Sequence, residues 1–289
     1  MRQNLIRPFF LGIVFGGLVL IAITGCYTKP EKLSAEAREQ NIEYLIQEGL
    51  HLWEQRSNPD MVRKSCQFLA SAYEVTSPNL NLIEMLSRAY YFQAHYLTND
   101  PVLQDSLYLR GAMVAEEGLS ASLRGMTGSD SLTIEALLPF FTQEHIPVLY
   151  WWAANFGSYL LTKPVVQRLK KREIFENILH QMLVLNPNFY FGGPYRLFGV
   201  FYTRIPGVEL DRAESYFNQA IDAYPDYFAT KVLKARYYYT KTGDREQFHA
   251  TLTSVIEADP TSIPDVMPEN LLEQKLARSL LEKEHLLFE

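Results

Sequence analysis

Apolar residues recur at intervals of three and four along almost the whole chain, and this period restricts the fold more than any other feature. Leu45, Leu52, Leu69, Tyr73 and Leu86 follow it, and an average interval of 3.6 residues places such side chains on one face of an α-helix. No alternating β-strand pattern extends beyond a few residues. The 289 residues are 47% hydrophobic, which suffices for one or two folded cores. We therefore predict an all-α protein.

Three prolines share a register with these helical segments. Pro187, Pro225 and Pro260 are 38 and 35 residues apart. Eight positions before each proline stands a large apolar residue: Leu179, Phe217 and Leu252. Five positions before each proline stands another apolar residue: Met182, Ala220 and Val255. Units of this length resemble the tetratricopeptide repeat, a helical hairpin of about 34 residues. We expect roughly four degenerate hairpins stacked into a superhelix over residues 39–289, with irregular insertions between residues 99 and 143, where the register is lost.

The N-terminus has the pattern of a targeting segment. Arg2 and Arg7 precede a charge-free apolar stretch, which ends in Ile-Thr-Gly-Cys at Cys26. This pattern resembles the lipobox of bacterial lipoproteins. The resemblance implies a signal peptide at residues 1–25, acylation of Cys26, and a lipidated tether at residues 26–38.

A membrane-spanning signal anchor is the alternative interpretation of this segment. The stretch from Pro8 to Thr28 has no charged residue and is about as long as a bilayer requires. The residue after the cysteine is Tyr27, whereas an Asp there would retain an enterobacterial lipoprotein on the inner membrane. The lipoprotein interpretation therefore places the protein in the periplasm, with the outer membrane favoured. The first helix should begin near Ser34, a candidate N-cap.

A second charge-free segment runs from Ile146 to Thr162. Pro147 suits the first turn of a helix and Pro164 marks its end, which leaves about fourteen residues, too few to cross a bilayer. A helix that is apolar on nearly every side must be enclosed. It either packs in a core through its small residues, Ala153 and Gly157, or lines a ligand cavity.

Asn155 bears on this choice because it shares a helix face with Trp151, Trp152 and Tyr159. A buried amide needs hydrogen-bond partners. Asn155 therefore either braces a neighbouring backbone or offers hydrogen bonds to a bound molecule.

Several of these features together resemble one protein family. The lipobox, the degenerate hairpins, LYWWAANFGSYL at residues 149–160 and YLRGAMVAEEGLSASL at residues 108–123 are similar to the T component of tripartite ATP-independent periplasmic (TRAP) transporters. The resemblance implies a lipid-anchored helical protein that partners the transporter's extracytoplasmic solute-binding protein and holds or passes a small hydrophobic ligand. The ligand- or partner-binding residues that it implies are Trp151, Trp152, Asn155, Tyr159, Tyr190, Phe191 and Tyr195.

Other functions have less support in the sequence. The six histidines lack the spacing of a metal site, and Gly192 and Gly193 predict a turn before a helix at Pro194 rather than a phosphate-binding loop. We expect no metal, no cofactor and no catalysis. The net charge of -6, without a broad basic face, argues against nucleic acid. A cell-envelope scaffold for a peptide or protein, an envelope hydrolase with a hidden acid, and a homo-oligomer all remain open.

Overall fold

The computed structural model describes residues 34–76, 79–128, 132–207 and 210–289. The signal peptide, Cys26 and the tether up to residue 33 lie outside these ranges. The described residues contain helices and no β-strand, which confirms the all-α prediction.

The α-helices are α1 (Ala35–Glu54), α2 (Pro59–Val75), α3 (Leu80–Tyr96), α4 (Pro101–Ser122), α5 (Arg124–Thr127), α6 (Ile134–Leu137), α7 (Ile146–Leu161), α8 (Val165–Lys170), α9 (Arg172–Leu185), α10 (Phe189–Arg204), α11 (Leu210–Ala223), α12 (Phe228–Leu233), α13 (Thr240–Thr242), α14 (Arg245–Glu257), α15 (Met267–Glu282) and α16 (Glu284–Leu287). Short 3-10 turns occupy Leu138–Phe140, Gln143–His145 and Pro264–Val266, and a π-helical turn occupies Lys234–Tyr239.

Successive helices pair into hairpins that stack in chain order. The pairs are α1 with α2, α3 with α4, α7 with α9, α10 with α11, and α12 with α14. The described part of the chain thus forms five hairpins, one more than the rough number expected, and α15 then packs against α12 and α14. The structure confirms a helical-hairpin repeat fold.

The proline register marks helix ends, as the spacing predicts. The helices α9, α11 and α14 end two or three residues before Pro187, Pro225 and Pro260. All six apolar register positions are fully buried: Leu179, Phe217, Leu252, Met182, Ala220 and Val255. At the other end of the fold, the Ser34 hydroxyl accepts the backbone N–H of Ala37 and caps α1.

The expectation of irregular structure between residues 99 and 143 is wrong over most of its first half. A regular 22-residue helix, α4, occupies Pro101–Ser122. Its small residues replace the proline register as the packing signal, because they let α4 approach α3 and α7 closely. A Cβ on Gly118 would lie 2.4 Å from Ile83 Cδ1, so only glycine fits there. Among the described residues of this range, the irregular part comprises residues 123–128 and 132–145, which form short helices and 3-10 turns.

The charge-free segment forms α7, which begins and ends where its flanking prolines predict. Its first ten residues are buried apart from Pro147, whereas its last six are partly exposed. It lies in the largest hydrophobic cluster of the described residues and contacts α3, α4, α9 and α10. In the described ranges, every helix falls short of the length or apolarity needed to span a bilayer.

Candidate functional site

The two adjacent tryptophans of α7 face different neighbours. The Trp152 ring stacks on Phe156 with a centroid distance of 4.9 Å, and its Nε1 donates to Glu116 Oε2 at 3.1 Å. The Trp151 ring instead lies 4.9 Å from the ring of Tyr190. Trp151 therefore belongs to a different environment from Trp152, although the sequence places both among the candidate binding residues.

Asn155 braces the backbone. It is fully buried, and its Nδ2 lies 3.0 Å from the Ser87 carbonyl oxygen and 2.9 Å from that of Trp151. A Cβ added to Gly111 would lie 2.5 Å from Asn155 Cγ. This amide joins α3, α4 and α7 in the core, while its Oδ1 has no hydrogen-bond partner among the described residues.

Two further candidate residues lie away from Trp151. Tyr159 is partly exposed near the end of α7, where the Lys163 ammonium sits 4.1 Å from its ring centroid. Tyr195 lies on the wall of a surface groove between α9, α10 and α11, 6.3 Å from the ring of Tyr216. Neither residue contributes to the cluster around Trp151.

Trp151 and Tyr190 line a small internal cavity that we call the Arg88 chamber. Its lining residues come from α3, α7, the first turn of α10, the residue before α12, and α15: Arg88, Tyr91, Phe92, Tyr96, Trp151, Tyr190, Tyr227 and Glu269. The free volume is about 10 Å³, roughly the space that one water molecule requires. The chamber is almost closed in this conformation.

Arg88 is enclosed by three aromatic rings. Its guanidinium carbon lies 5.1 Å, 5.5 Å and 5.0 Å from the ring centroids of Trp53, Trp151 and Tyr190, within the range of cation–π attraction. Nη2 donates to Glu269 Oε1 at 2.9 Å and to the Tyr190 hydroxyl at 3.0 Å. Burial opposes the charged form, but Tyr190 and Glu269 outweigh it and raise the pKa of Arg88. The buried Nε has no acceptor among the described residues.

Glu269 on α15 binds two arginines at once. Besides Arg88, it accepts from Arg56 Nε, which lies 3.0 Å and 3.1 Å from its two carboxylate oxygens. Arg56 Nη2 also donates to the backbone carbonyl of Asp265. Glu269 is 2% exposed, and a buried carboxylate is tolerated only when paired in this way. It therefore fixes α15 against the loop after α1 and against α3.

A second buried guanidinium, that of Arg196, lies beside the chamber. Nη1 donates to Thr230 Oγ1 and to the Phe191 carbonyl at 3.2 Å and 3.1 Å. Nη2 donates to the Tyr150 hydroxyl and the Tyr190 carbonyl at 2.6 Å and 3.1 Å. In the described ranges, its hydrogen bonds thus end on carbonyl and hydroxyl oxygens and none on a carboxylate.

Those two carbonyls belong to an unusual left-handed turn. Tyr190, Phe191 and Gly192 have φ angles of 46°, 57° and 69°. The left-handed region is natural for glycine, but it costs a non-glycine residue on the order of 1 kcal/mol or more. Arg196 holds this turn through its carbonyls. The turn directs Tyr190 at Arg88 and stacks Phe191 on Tyr227, with a centroid distance of 4.9 Å.

One turn beyond Glu269, a second carboxylate of α15 adjoins the chamber. Glu273 Oε1 accepts from the Tyr96 hydroxyl at 2.5 Å, and Oε2 has no hydrogen-bond partner among the described residues. Burial raises the pKa of Glu273 to about 7. Burial also lowers the pKa of the neighbouring His95 to about 3, so this ring is neutral.

The charged residues of the chamber escape prediction from sequence. Arg88 and Glu269 are 181 positions apart, and each lies in an ordinary amphipathic segment. A local pattern assigns such residues to a solvated helix face. The one available signal is the aromatic run that includes Tyr190 and Phe191, both of which are candidate binding residues from the sequence.

Comparison with known proteins identifies the family. The model of the TRAP transporter T-component family matches residues 79–288. This range includes Arg88, Trp151, the left-handed turn and α15, whereas Arg56 precedes it. No curated protein matches the chain. Because the family match covers most of the sequence, the chain belongs to the TRAP transporter T-component family.

Proposed function

We propose that this protein is a periplasmic lipoprotein, anchored through acyl chains on Cys26, that partners the solute-binding component of a TRAP transporter. Family membership associates the chain with a TRAP transporter. The lipobox supports the anchor and its extracytoplasmic side. The hairpins, interpreted as degenerate tetratricopeptide repeats, supply the surface for a protein partner. The role is that of an accessory component, without catalysis.

We further propose that the Arg88 chamber is the place where the protein holds a small ligand with an apolar body. The observation that carries this proposal is a guanidinium, on a side chain 16% exposed, enclosed by aromatic rings from separate helices, which provides both apolar surface and directed hydrogen bonds. Of the residues selected from sequence, Trp151, Tyr190 and Phe191 belong to this site. Trp152, Asn155, Tyr159 and Tyr195 are left out because they contact other parts of the molecule.

The partner proposal is tested by mixing the full-length lipoprotein, extracted in a non-ionic detergent, with its cognate solute-binding protein. At about 50 μM of each, complexes with dissociation constants up to that order are populated. We expect co-elution in size-exclusion chromatography. A solute-binding protein from an unrelated transporter serves as the matched control. Separate elution of the cognate pair, or equal co-elution of the unrelated protein, would contradict the proposal.

A further inference from the structure

The two sides of α15 are attached to the fold in different ways. Towards α12 and α14 it is fixed by buried amides. Asn270 Oδ1 accepts the Phe228 N–H at 3.1 Å, and Gln274 Nε2 donates to the carbonyls of Val255 and Ala258 at 3.1 Å and 2.9 Å. These amides tie α15 to the backbone of the last hairpin.

Towards the N-terminal hairpins, α15 is attached mainly by charged and hydroxyl side chains. We call this boundary the α15 seam. Glu269 and Glu273 lie on its α15 side, and they accept hydrogen bonds from Arg56, Arg88 and Tyr96 on the other side. Leu272 is the α15 residue that packs on the apolar cluster of α1–α3. When this seam separates, its ion pairs recover much of their cost by hydration, and the aromatic rings that line the chamber become accessible to a ligand. It is therefore the boundary along which α15 can separate from the chamber most readily.

In and beside the chamber, three guanidinium groups have one carboxylate of the described ranges, that of Glu269, at hydrogen-bonding distance. Arg88 and Arg56 share the single carboxylate of Glu269, and the Arg88 Nε has no acceptor among the described residues. Arg196 donates to carbonyl and hydroxyl oxygens. Buried guanidinium groups bind planar carboxylates with particular preference, through paired hydrogen bonds. The unpaired donor that lines the chamber, Arg88 Nε, therefore fits an oxyanion ligand.

Steric considerations decide how a ligand could reach this site. A free volume of about 10 Å³ admits no organic molecule. The carboxylate that already satisfies Arg88 belongs to α15, the element attached through the seam. An incoming carboxylate would thus have to take the place of Glu269.

We propose that Glu269 occupies the position of a ligand carboxylate, and that an organic acid with an aromatic or branched apolar body binds Arg88 when α15 moves away along the seam. This inference rests on the proposed function of the chamber as the ligand site and names the ligand class. The carboxylate pairs with Arg88, and the apolar body lies against Trp151 and Tyr190. Glu269 is then released towards solvent together with the seam face of α15.

The first test supplies the missing carboxylate from solution. Glu269→Ala removes the carboxylate from Arg56 and Arg88. Acetate at about 100 mM, with a dissociation constant near 10 mM, should raise the melting temperature of this variant by about 3 °C relative to equal sodium chloride. The matched control is Glu176→Ala, which removes a carboxylate that accepts from the Tyr202 hydroxyl at 2.6 Å. Neither of these residues lines the chamber. For this control and for the wild type, acetate should raise the melting temperature no more than the same concentration of sodium chloride does.

The second test uses Glu269→Gln, which keeps the shape of the side chain. It remains available if Glu269→Ala fails to fold. Phenylacetate is titrated against the full-length protein, and binding is measured by tryptophan fluorescence, with phenylacetamide as the neutral analogue. Because a hydrogen bond to a charged group is worth about 1.5 kcal/mol or more, loss of the internal competitor should tighten phenylacetate binding about tenfold. Phenylacetamide should gain nothing, Glu176→Gln should match the wild type, and Arg88→Gln combined with Glu269→Gln should abolish the gain.

The proposal is wrong if Glu269→Gln binds phenylacetate no more tightly than the wild type, or if phenylacetamide gains as much. Acetate that stabilises Glu269→Ala no more than Glu176→Ala would also overturn it. Neither test contains the solute-binding protein. A failure here therefore leaves the partner proposal standing, and a failure of co-elution leaves the ligand class standing.

Discussion

Replacement of Trp152 by alanine should lower the stability of the protein and leave binding in the Arg88 chamber intact. Trp152 is 1% exposed, and its ring lies 4.9 Å from Phe156 and 6.1 Å from Phe175. Removal of a buried tryptophan side chain costs about 3–5 kcal/mol, because apolar contacts are lost and a cavity remains. Loss of the hydrogen bond to Glu116 adds about 1 kcal/mol.

The assay is thermal unfolding followed by circular dichroism, with phenylacetate binding in the Glu269→Gln background as the second measurement. A domain of this size loses about 2–4 °C for each kcal/mol, so the melting temperature should fall by about 8–24 °C. Trp152→Phe, which retains an aromatic ring, should lose much less. Trp151→Ala is the matched variant on the same helix. It removes a ring next to Arg88 and should weaken phenylacetate binding.

The result that would refute this reasoning is a Trp152→Ala protein that melts at the wild-type temperature and no longer binds phenylacetate. Trp152 would then face the ligand, and the division of α7 into a packing side and a chamber side would be wrong.

Glu273→Gln should stabilise the protein more at pH 8 than at pH 5. Burial raises the pKa of Glu273 from 4.5 to about 7, so the neutral carboxyl of the wild type favours the native state below pH 4.5. The wild type loses this stabilisation as the pH rises through about 7, whereas the glutamine stays neutral. The difference in unfolding free energy between variant and wild type, measured by urea unfolding, should grow to a limit of about 3 kcal/mol. A difference that does not change with pH would contradict the burial of this carboxyl. Gly111→Ala should lower the free energy of unfolding by about 1–3 kcal/mol in the same assay through overpacking. Gly125→Ala is the control and should cost little, because its new Cβ meets nothing within 4 Å. Equal losses of stability in the two variants would contradict the tight approach of α4. Cys66, whose pKa burial raises to about 11, should react with a thiol reagent only when the protein unfolds, and rapid native-state labelling would contradict its burial.

Most of the fold could be predicted from sequence because its signals are local. Helical period and the proline positions fix where helices such as α9, α11 and α14 end, and Ser34 caps α1 as expected. The exception was α4, whose packing depends on small residues such as Gly111 and Gly118. Their fit to Asn155 and Ile83 depends on helices that are distant in the chain. Loss of one repeat signal in the sequence therefore does not imply loss of regular structure.

The candidate site was only partly predictable. Trp151 and Trp152 are neighbours in sequence, but successive residues on an α-helix point about 100° apart, so the two side chains can contact different neighbouring helices even when they share one broad face. The contacts of Arg88 with Glu269 join the third helix to the fifteenth and leave no local pattern. The left-handed turn at Tyr190 and Phe191 was also hidden, because two aromatic residues in this conformation are held there by Arg196 from outside the turn.

The most direct test of the central claim is a distance measurement across the α15 seam. Spin labels at Lys64→Cys on α2 and Lys275→Cys on α15, both exposed positions, report their separation by pulsed electron paramagnetic resonance, while Cys66 is buried. We predict one narrow distance distribution for the protein alone, and a longer, broader one when phenylacetate saturates the Glu269→Gln protein. A distribution that stays unchanged at saturation, as judged by tryptophan fluorescence, would show that ligand binds without movement of α15 and would contradict the central claim.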